Sequence, residues 1–251
     1  TTPARDEAID LSIIIPAYNE ERRLPDAIRK VTGFLDSHAF RAEVLIVENG
    51  SRDRTAAIAD AAAETNPRFR ALHVARPGKG RAVRVGMLEG RGRVVAFCDA
   101  DFSMPVDQLC RLYDAIEAGA DVAIGSREVP GARRIGEPWR RHLMGRGFNF
   151  LVRVLAVPGL EDTQCGFKAF RWEVARDLFR RQRITGWAFD VEVLFLATRG
   201  GYQVREVPIT WRYDPSSRVS PLRDTIAMLR ELLIVRLNAW RGRYTESGEV
   251  F

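Results

Sequence analysis

The sequence predicts an α/β fold, an open and largely parallel sheet with helices on both faces, followed by a C-terminal amphipathic helix. Short continuous apolar runs, of the kind buried on both faces of a parallel sheet, alternate with helix-period segments through the first half. A chain of 251 residues, 46% hydrophobic and 29% charged, is long enough to bury one large core. Its 20 glycines and 12 prolines are scattered, which excludes collagen-like and disordered chains. No apolar run reaches the roughly 18 residues of a spanning helix, and Thr1 to Asp10 does not read as a basic-then-apolar leader.

The elements follow in order. Leu11 to Pro16 is the first strand, after which Asn19 is expected to cap a helix with Glu20 and Glu21 at its positive end. Ala42 to Glu48 is the second strand, and Ser51 or Asp53 caps an alanine-rich helix to about Glu64. Phe69 to Val74 is the third, and Gly78-Lys-Gly80 opens a helix to about Glu89. Arg93 to Asp99 is the fourth strand, a helix starts at Pro105, and Asp121 to Ser126 is the fifth strand. Beyond it we expect a helix over 138–157, a loop over Asp162 to Lys168, helices over Trp172 to Arg181 and Ala188 to Arg199, a strand over Tyr202 to Trp211, and a terminal helix over Pro221 to Arg243. With no repeat or linker, residues 1–220 read as one domain. Residues 221–251 are then an amphipathic helix and tail, on the same domain or at a membrane interface.

Net charge +6 and a pI of about 9.6 point to an anionic partner: nucleic acid, a phosphorylated substrate or acidic lipid. Only three of the 39 basic residues are lysines (Lys30, Lys79, Lys168), and such an arginine excess can equally reflect genomic base composition. Cys98, Cys110 and Cys165 are too few and uneven for a disulfide framework and suit a reduced compartment. His38, His73 and His142 are too dispersed for zinc and read as incidental.

Ligands of open parallel sheets bind beyond the carboxyl ends of the strands. There the chain carries Pro16-Ala-Tyr-Asn-Glu20, Glu48-Asn-Gly-Ser51 and Asp99-Ala-Asp101. No Gly-x-Gly-x-x-Gly follows the first strand, and Gly80 rather than Ser or Thr follows Lys79, so neither a dinucleotide fingerprint nor a P-loop is present. Two aspartates on one turn suit Mg²⁺ or Mn²⁺ completed by phosphate oxygens and water, although such pairs are also common as solvated loop carboxylates. Lys79 between glycines reads as a phosphate contact or as a plain helix start.

In the terminal helix Leu222, Ile226, Leu229, Leu233, Leu237 and Trp240 form one stripe at about 100° per residue, bordered by Arg223, Arg230, Arg236, Arg241 and Arg243. Asp224 and Glu231 face away from it. That pattern suits an interfacial helix snorkelling its cations to anionic headgroups. Leu232, Ile234 and Val235 lie off the stripe and are expected to pack on the protein. Ordinary core packing of the whole helix is the alternative.

Pro16 to Glu20, the acidic turn at Glu48, Lys79-Gly80 and Asp99-Ala-Asp101 resemble the family 2 inverting glycosyltransferases. Asp162-Thr-Gln-Cys-Gly-Phe-Lys168, Trp187-Ala-Phe-Asp-Val-Glu192 and Glu206-Val-Pro-Ile-Thr-Trp211 are similar to the dolichyl-phosphate β-glucosyltransferases and their prokaryotic polyprenyl-phosphate counterparts. The likeness covers roughly residues 10 to 242. It implies a GT-A (Rossmann-like) mixed, mostly parallel sheet. The implied reaction is inverting transfer of glucose from UDP-glucose to a polyprenyl phosphate, or the same reaction with a donor such as GDP-mannose.

By that resemblance Pro16, Tyr18, Glu20, Glu48, Lys79, Asp99 and Gln164 meet the nucleotide sugar, and Asp99 and Asp101 hold Mg²⁺ or Mn²⁺. Arg127 and Arg141 meet the acceptor phosphate. Glu48-Asn49 departs from the two aspartates usual in relatives, and Gly145 stands where a serine is frequent. Asp190 occupies the family's base position. Because the acceptor phosphate is already largely ionised at neutral pH, Asp190 is expected to orient acceptor or sugar hydroxyls, with Glu192 sharing the task; a plain helix N-terminal carboxylate is the alternative. The implied setting is peripheral, on the cytoplasmic membrane face, with a separate membrane partner or a homo-oligomer possible. A basic, non-enzymatic nucleic-acid-binding protein is the remote alternative; nucleic acid is not the expected partner, because acidic strand ends would repel its phosphates unless metal-bound.

Overall fold

The computed structural model describes residues 3–6, 8–139, 142, 145–147, 149, 152–153, 156–214 and 221–244, with the side chains of 221–226 excepted. Three parallel strands, β1 (Leu11–Ala17), β2 (Ala42–Glu48) and β3 (Phe69–His73), are joined by α1 (Leu24–Ser37) and α2 (Thr55–Thr65). α3 (Lys79–Glu89) crosses back to β4 (Val94–Cys98), which pairs with the other side of β1. A short 3₁₀ turn and α4 (Leu109–Glu117) lead to β5 (Val122–Ser126). After the small strand β6 (Arg133–Ile135) come β7 (Phe167–Arg171), α5 (Trp172–Arg181), α6 (Phe189–Arg199), β8 (Val204–Pro208), β9 (Thr210–Arg212) and α7 (Pro221–Trp240).

The seven-stranded sheet runs β3-β2-β1-β4-β7-β5-β8, and β6 pairs with β9 as a separate ribbon. All pairings in the large sheet are parallel except those of β7, which lies antiparallel between β4 and β5. Ile13, Ile14 and Ile15 are fully buried, feeding the cores on both faces of the sheet. Each such side chain contributes about 1.5–3 kcal/mol.

The mixed, mostly parallel sheet agrees with the expected architecture, and β7 is its unforeseen member. Phe167-Lys-Ala-Phe-Arg171 has a lysine at its second position, which conceals a central strand; Lys168 is nonetheless fully buried. Asn19 does not cap a helix. It sits at φ 53°, its side-chain oxygen accepts from Arg52 N, and α1 begins only at Leu24. The expected late strand over 202–211 divides into β8 and β9, which belong to different sheets. α7 packs inward through Leu232 and Val235, whereas Ile234 is exposed rather than packed. No helix among the described residues is long and apolar enough to cross a membrane.

Candidate active site

β1, β2 and β4 end on the same side of the sheet, and a row of charged side chains stands there. Asp99 follows β4 directly, and its Oδ1 lies 2.6 Å from Nζ of Lys79, the first residue of α3. Gly166, opposite Asp99 at the start of β7, leaves room for that carboxylate, since a Cβ built there would overlap it. The Asp99 N–H donates to Gly166 O at 3.1 Å. Asp101 accepts from Ser103 N at 2.9 Å. Burial and the neighbouring Asp99 charge push its carboxyl up. Lys79 also lies 5.2 Å from the Trp187 ring. Burial works against its ammonium, but Asp99 and Asp190 outweigh this and hold its pKa above the ordinary value.

Asp190 stands in the first turn of α6 and is buried. Its Oδ1 accepts from Lys168 Nζ at 2.6 Å, and the same ammonium donates to Cys165 O at 2.6 Å. Burial pushes the Asp190 carboxyl up, against the pull of Lys168 and Lys79. Two aspartates and two lysines, Asp99 with Lys79 and Asp190 with Lys168, thus stand near one another, each carboxylate paired with a cation.

Beyond the ends of β1 and β2 Tyr18 is exposed and Pro16 half-buried, with Glu20 N donating to Thr55 Oγ1 at 2.7 Å. Ser51 Oγ accepts from Asn19 N at 3.0 Å, so the β1 and β2 loops are tied together. The Glu48 carboxylate is turned into this junction. It accepts from Ser51 N and lies 3.4 Å from His73 Nδ1, whose Nε2 is 2.9 Å from Asp60. His73, read from the sequence as incidental, is therefore a neighbour of the strand-two acid.

On the other side Arg127 has a partner of its own, and the expected place of Glu192 needs correcting. Arg127 is not an uncommitted cation for a phosphate: its Nε and Nη2 donate to both oxygens of Asp162, at 2.7 and 2.9 Å, and its backbone N–H adds a third bond at 3.0 Å. Burial opposes ionisation of Asp162, yet Arg127 outweighs it and draws the carboxyl down to about 2. Glu192 does not face the cleft. Its oxygens accept from Arg183 N, from Ile184 N at 2.8 Å and from Tyr244 OH at 2.7 Å. Burial raises it to about 7. Residues two apart on a helix point in nearly opposite directions, so Asp190 and Glu192 cannot share one site. Arg141 lies outside the described residues. Gln164 Nε2 reaches Met228 Sδ on α7 at 3.6 Å.

Sequence reasoning singled out Asp99, Asp101, Lys79 and Asp190 and missed the role of Lys168, although its rarity as one of three lysines was a usable signal. Asp99 and Asp101 fit a divalent cation in their donor chemistry: hard oxygens, one turn, and mutual repulsion that a cation would relieve. Among the described residues no three His, Cys, Asp or Glu side chains group to hold a metal. Two carboxylates on one turn suit a cation whose remaining ligands are phosphate oxygens and water.

The family model for Glycosyl transferase family 2 matches residues 12–179. The dolichyl-phosphate beta-glucosyltransferase of Drosophila melanogaster is 35% identical over 96% of this chain and 80% of its own length. That of Saccharomyces cerevisiae is 34% identical over 96% and 78%, and that of Homo sapiens 32% over 94% and 78%. Among solved structures, glucosyl-3-phosphoglycerate synthase from Mycobacterium tuberculosis in complex with Mn²⁺, UDP and phosphoglyceric acid superposes with TM-score 0.66 at 20% identity, covering 94% of this chain and 78% of that one. The same enzyme with UDP gives 0.65 at 20% identity, over 94% and 80%. These structures share the GT-A fold expected from the sequence. With its matched domain, its relatives and its charged strand ends in agreement, the chain belongs to glycosyl transferase family 2.

Proposed function

We propose that this chain transfers glucose, with inversion, from UDP-glucose to a polyprenyl phosphate, giving polyprenyl-phosphate β-glucose and UDP. The observation that carries the reading is the paired Lys79–Asp99 and Lys168–Asp190 arrangement at the strand ends, in a chain whose relatives at 32–35% identity are dolichyl-phosphate beta-glucosyltransferases. A donor with a diphosphate needs positive charge where the leaving group departs. Lys79, on the first turn of α3, supplies it from the protein. Asp99 and Asp101 would hold Mg²⁺ or Mn²⁺, which when bound neutralises the departing diphosphate. Complexes of the mycobacterial synthase with Mn²⁺ or Mg²⁺ and UDP support this assignment.

In the transfer, a phosphate oxygen of the acceptor forms the bond to the sugar C1 as the bond from C1 to the UDP oxygen breaks, and UDP keeps the electron pair. The attacking phosphate, with a second pKa of about 6, carries no proton that must be removed at neutral pH. Asp190, fixed by Lys168, then orients hydroxyls instead of acting as a base. Arg127 serves mainly by locking the Asp162–Gln164 loop, leaving Arg141 as the main expected phosphate contact.

A membrane-resident acceptor requires the protein to meet a bilayer. α7 exposes Leu233 and Trp240, at 65% and 83%, together with Leu237. Arg199 and Arg236 join them around a groove of about 600 Å³. That apolar face edged by cations supports a peripheral seat on an acidic membrane surface.

The test is incubation with a short-chain polyprenyl phosphate, Mg²⁺ or Mn²⁺, and UDP-glucose or GDP-mannose in parallel, with anomeric analysis of the lipid product. A β-glucosyl product from UDP-glucose is expected. Transfer only from GDP-mannose would shift the donor, and an α-linked product or none from either donor would overturn the reading.

A further inference from the structure

The segment between α5 and α6 lies between the phosphate-side loop and the terminal helix. On one side Gly80 N donates to Thr185 O at 3.0 Å, and Gln182 Nε2 donates to both Gly80 O and Ile184 O, at 2.9 and 2.7 Å. This fixes the segment against the start of α3, where Lys79 resides. On the other side it meets Glu231 of α7. Glu231 Oε2 accepts from Ala188 N at 2.8 Å, and a Cβ built on Gly186 would overlap the same carboxylate. Ala188 is the N-cap residue of α6, and no side chain of the segment itself caps that helix. Trp187, which faces the Lys79 ammonium, stands between the two contacts, and Asp190 follows within the first turn.

The first N–H groups of a helix have no partner within it. A glutamate that reaches back to such a group usually comes from the same helix, three residues on. Here it comes from a different helix, about forty residues later in the chain. Read from the sequence, Glu231 belonged to the polar side of an amphipathic helix, but in the fold that side meets the protein. Additional ties connect the same two parts: Arg183 Nε donates to Arg243 O at 2.9 Å, and Tyr244 OH donates to Glu192.

We propose that Glu231 is a positioning residue: by accepting the Ala188 N–H it fixes Trp187 and the Asp190-bearing turn of α6 in working register with Lys79. The proposal rests on the glycosyl-transfer reading for its kinetic consequence, but not for its structural one. An ångström-scale displacement of reacting groups can cost on the order of a hundredfold in rate.

The experiment compares Glu231→Ala, Glu231→Gln and Val235→Ala in the full chain. Val235 is buried on α7 and has no part in the site, so its truncation reports simple loosening of the helix. Glu231→Ala is expected to lower kcat at least tenfold with the UDP-glucose KM changed less than threefold. Glu231→Gln, whose amide oxygen can still accept, should recover to within threefold of wild type, and Val235→Ala should keep kcat despite an equal or larger fall in Tm. In parallel, amide hydrogen exchange over residues 184–190 should speed up at least tenfold in Glu231→Ala and stay unchanged in Glu231→Gln. Wild-type kcat and exchange in Glu231→Ala, a glutamine variant as impaired as the alanine one, or an equal kcat loss in Val235→Ala would each overturn the proposal. Should Glu231→Ala not fold, Glu231→Asp, which withdraws the carboxylate by one methylene, takes its place with the same criteria. If the wild-type chain transfers no glucose, the functional reading fails while the exchange comparison still decides the role of Glu231.

Discussion

The two faces of α6 hold carboxylates with opposite kinds of partner. Asp190 and Glu192 are two residues apart in one turn, and both are buried. Asp190 is met by an ammonium, Lys168, and stands close enough to Lys79 and Asp99 to feel their charges. Glu192 is met by two backbone N–H groups and a phenol, and it joins the 183–184 segment to Tyr244. Burial raises both carboxyls, so titration alone would not tell a site residue from a structural one. Their partners do. A carboxylate balanced by a cation beside further charges differs from one saturated by neutral donors, which serves as a clasp.

The largest effect should come from removing the cation on the first face. Lys168→Met leaves Asp190 buried without its ion partner, and we expect a loss of about 3–5 kcal/mol in urea unfolding. Adding Asp190→Leu to that variant should restore most of the stability; a double variant no more stable than Lys168→Met would show that the pair is not the source of the loss.

A smaller, pH-dependent effect is expected on the second face. Burial lifts Glu192 to about 7, so the folded protein keeps a proton there over a range in which the unfolded chain, near 4.5, has released it. The stability contributed by this group is therefore lost as pH rises from about 4.5 through 7. Glu192→Gln should flatten that part of the profile, gaining relative to wild type toward pH 8, with turnover within about threefold. A variant whose stability follows the wild-type slope would contradict the raised value. The mildest expectation concerns catalysis itself. Asp190→Asn should keep more than about a tenth of wild-type turnover if the residue orients hydroxyls, and a loss beyond roughly a thousandfold would make it the general base.

Much of this arrangement was legible in the sequence because it depends on local spacing. The runs Leu11 to Pro16, Ala42 to Glu48 and Arg93 to Asp99 had to be strands buried on both faces, and so Asp99 and Asp101 had to emerge at a strand end. Lys79 had to open a helix beside them. Helix Trp172–Arg181 agreed to the residue. What escaped were the pairings that cross the chain. β7 was hidden because a lysine and an arginine interrupt its apolar pattern, and only the approach of Asp190 makes Lys168 tolerable in a core. Arg127, a phosphate contact by resemblance, donates through Nε and Nη2 to Asp162, 35 residues away, a pairing that no local spacing announces. Glu192 entered the expected site by proximity to Asp190, which on a helix is proximity to the wrong face.

The sequence by itself determined the strands β1 to β5, the strand-end acids and the family, because strand burial and loop chemistry are set by residues that are neighbours in the chain. Which carboxylate meets an ammonium, which arginine is paired with a buried aspartate, and which helix caps α6 were decided only by tertiary structure. A charge's role depends on the nearest opposite charge or donor in space, and several of those partners lie far along the chain, 22 residues for Lys168 and Asp190 and 52 for Glu192 and Tyr244.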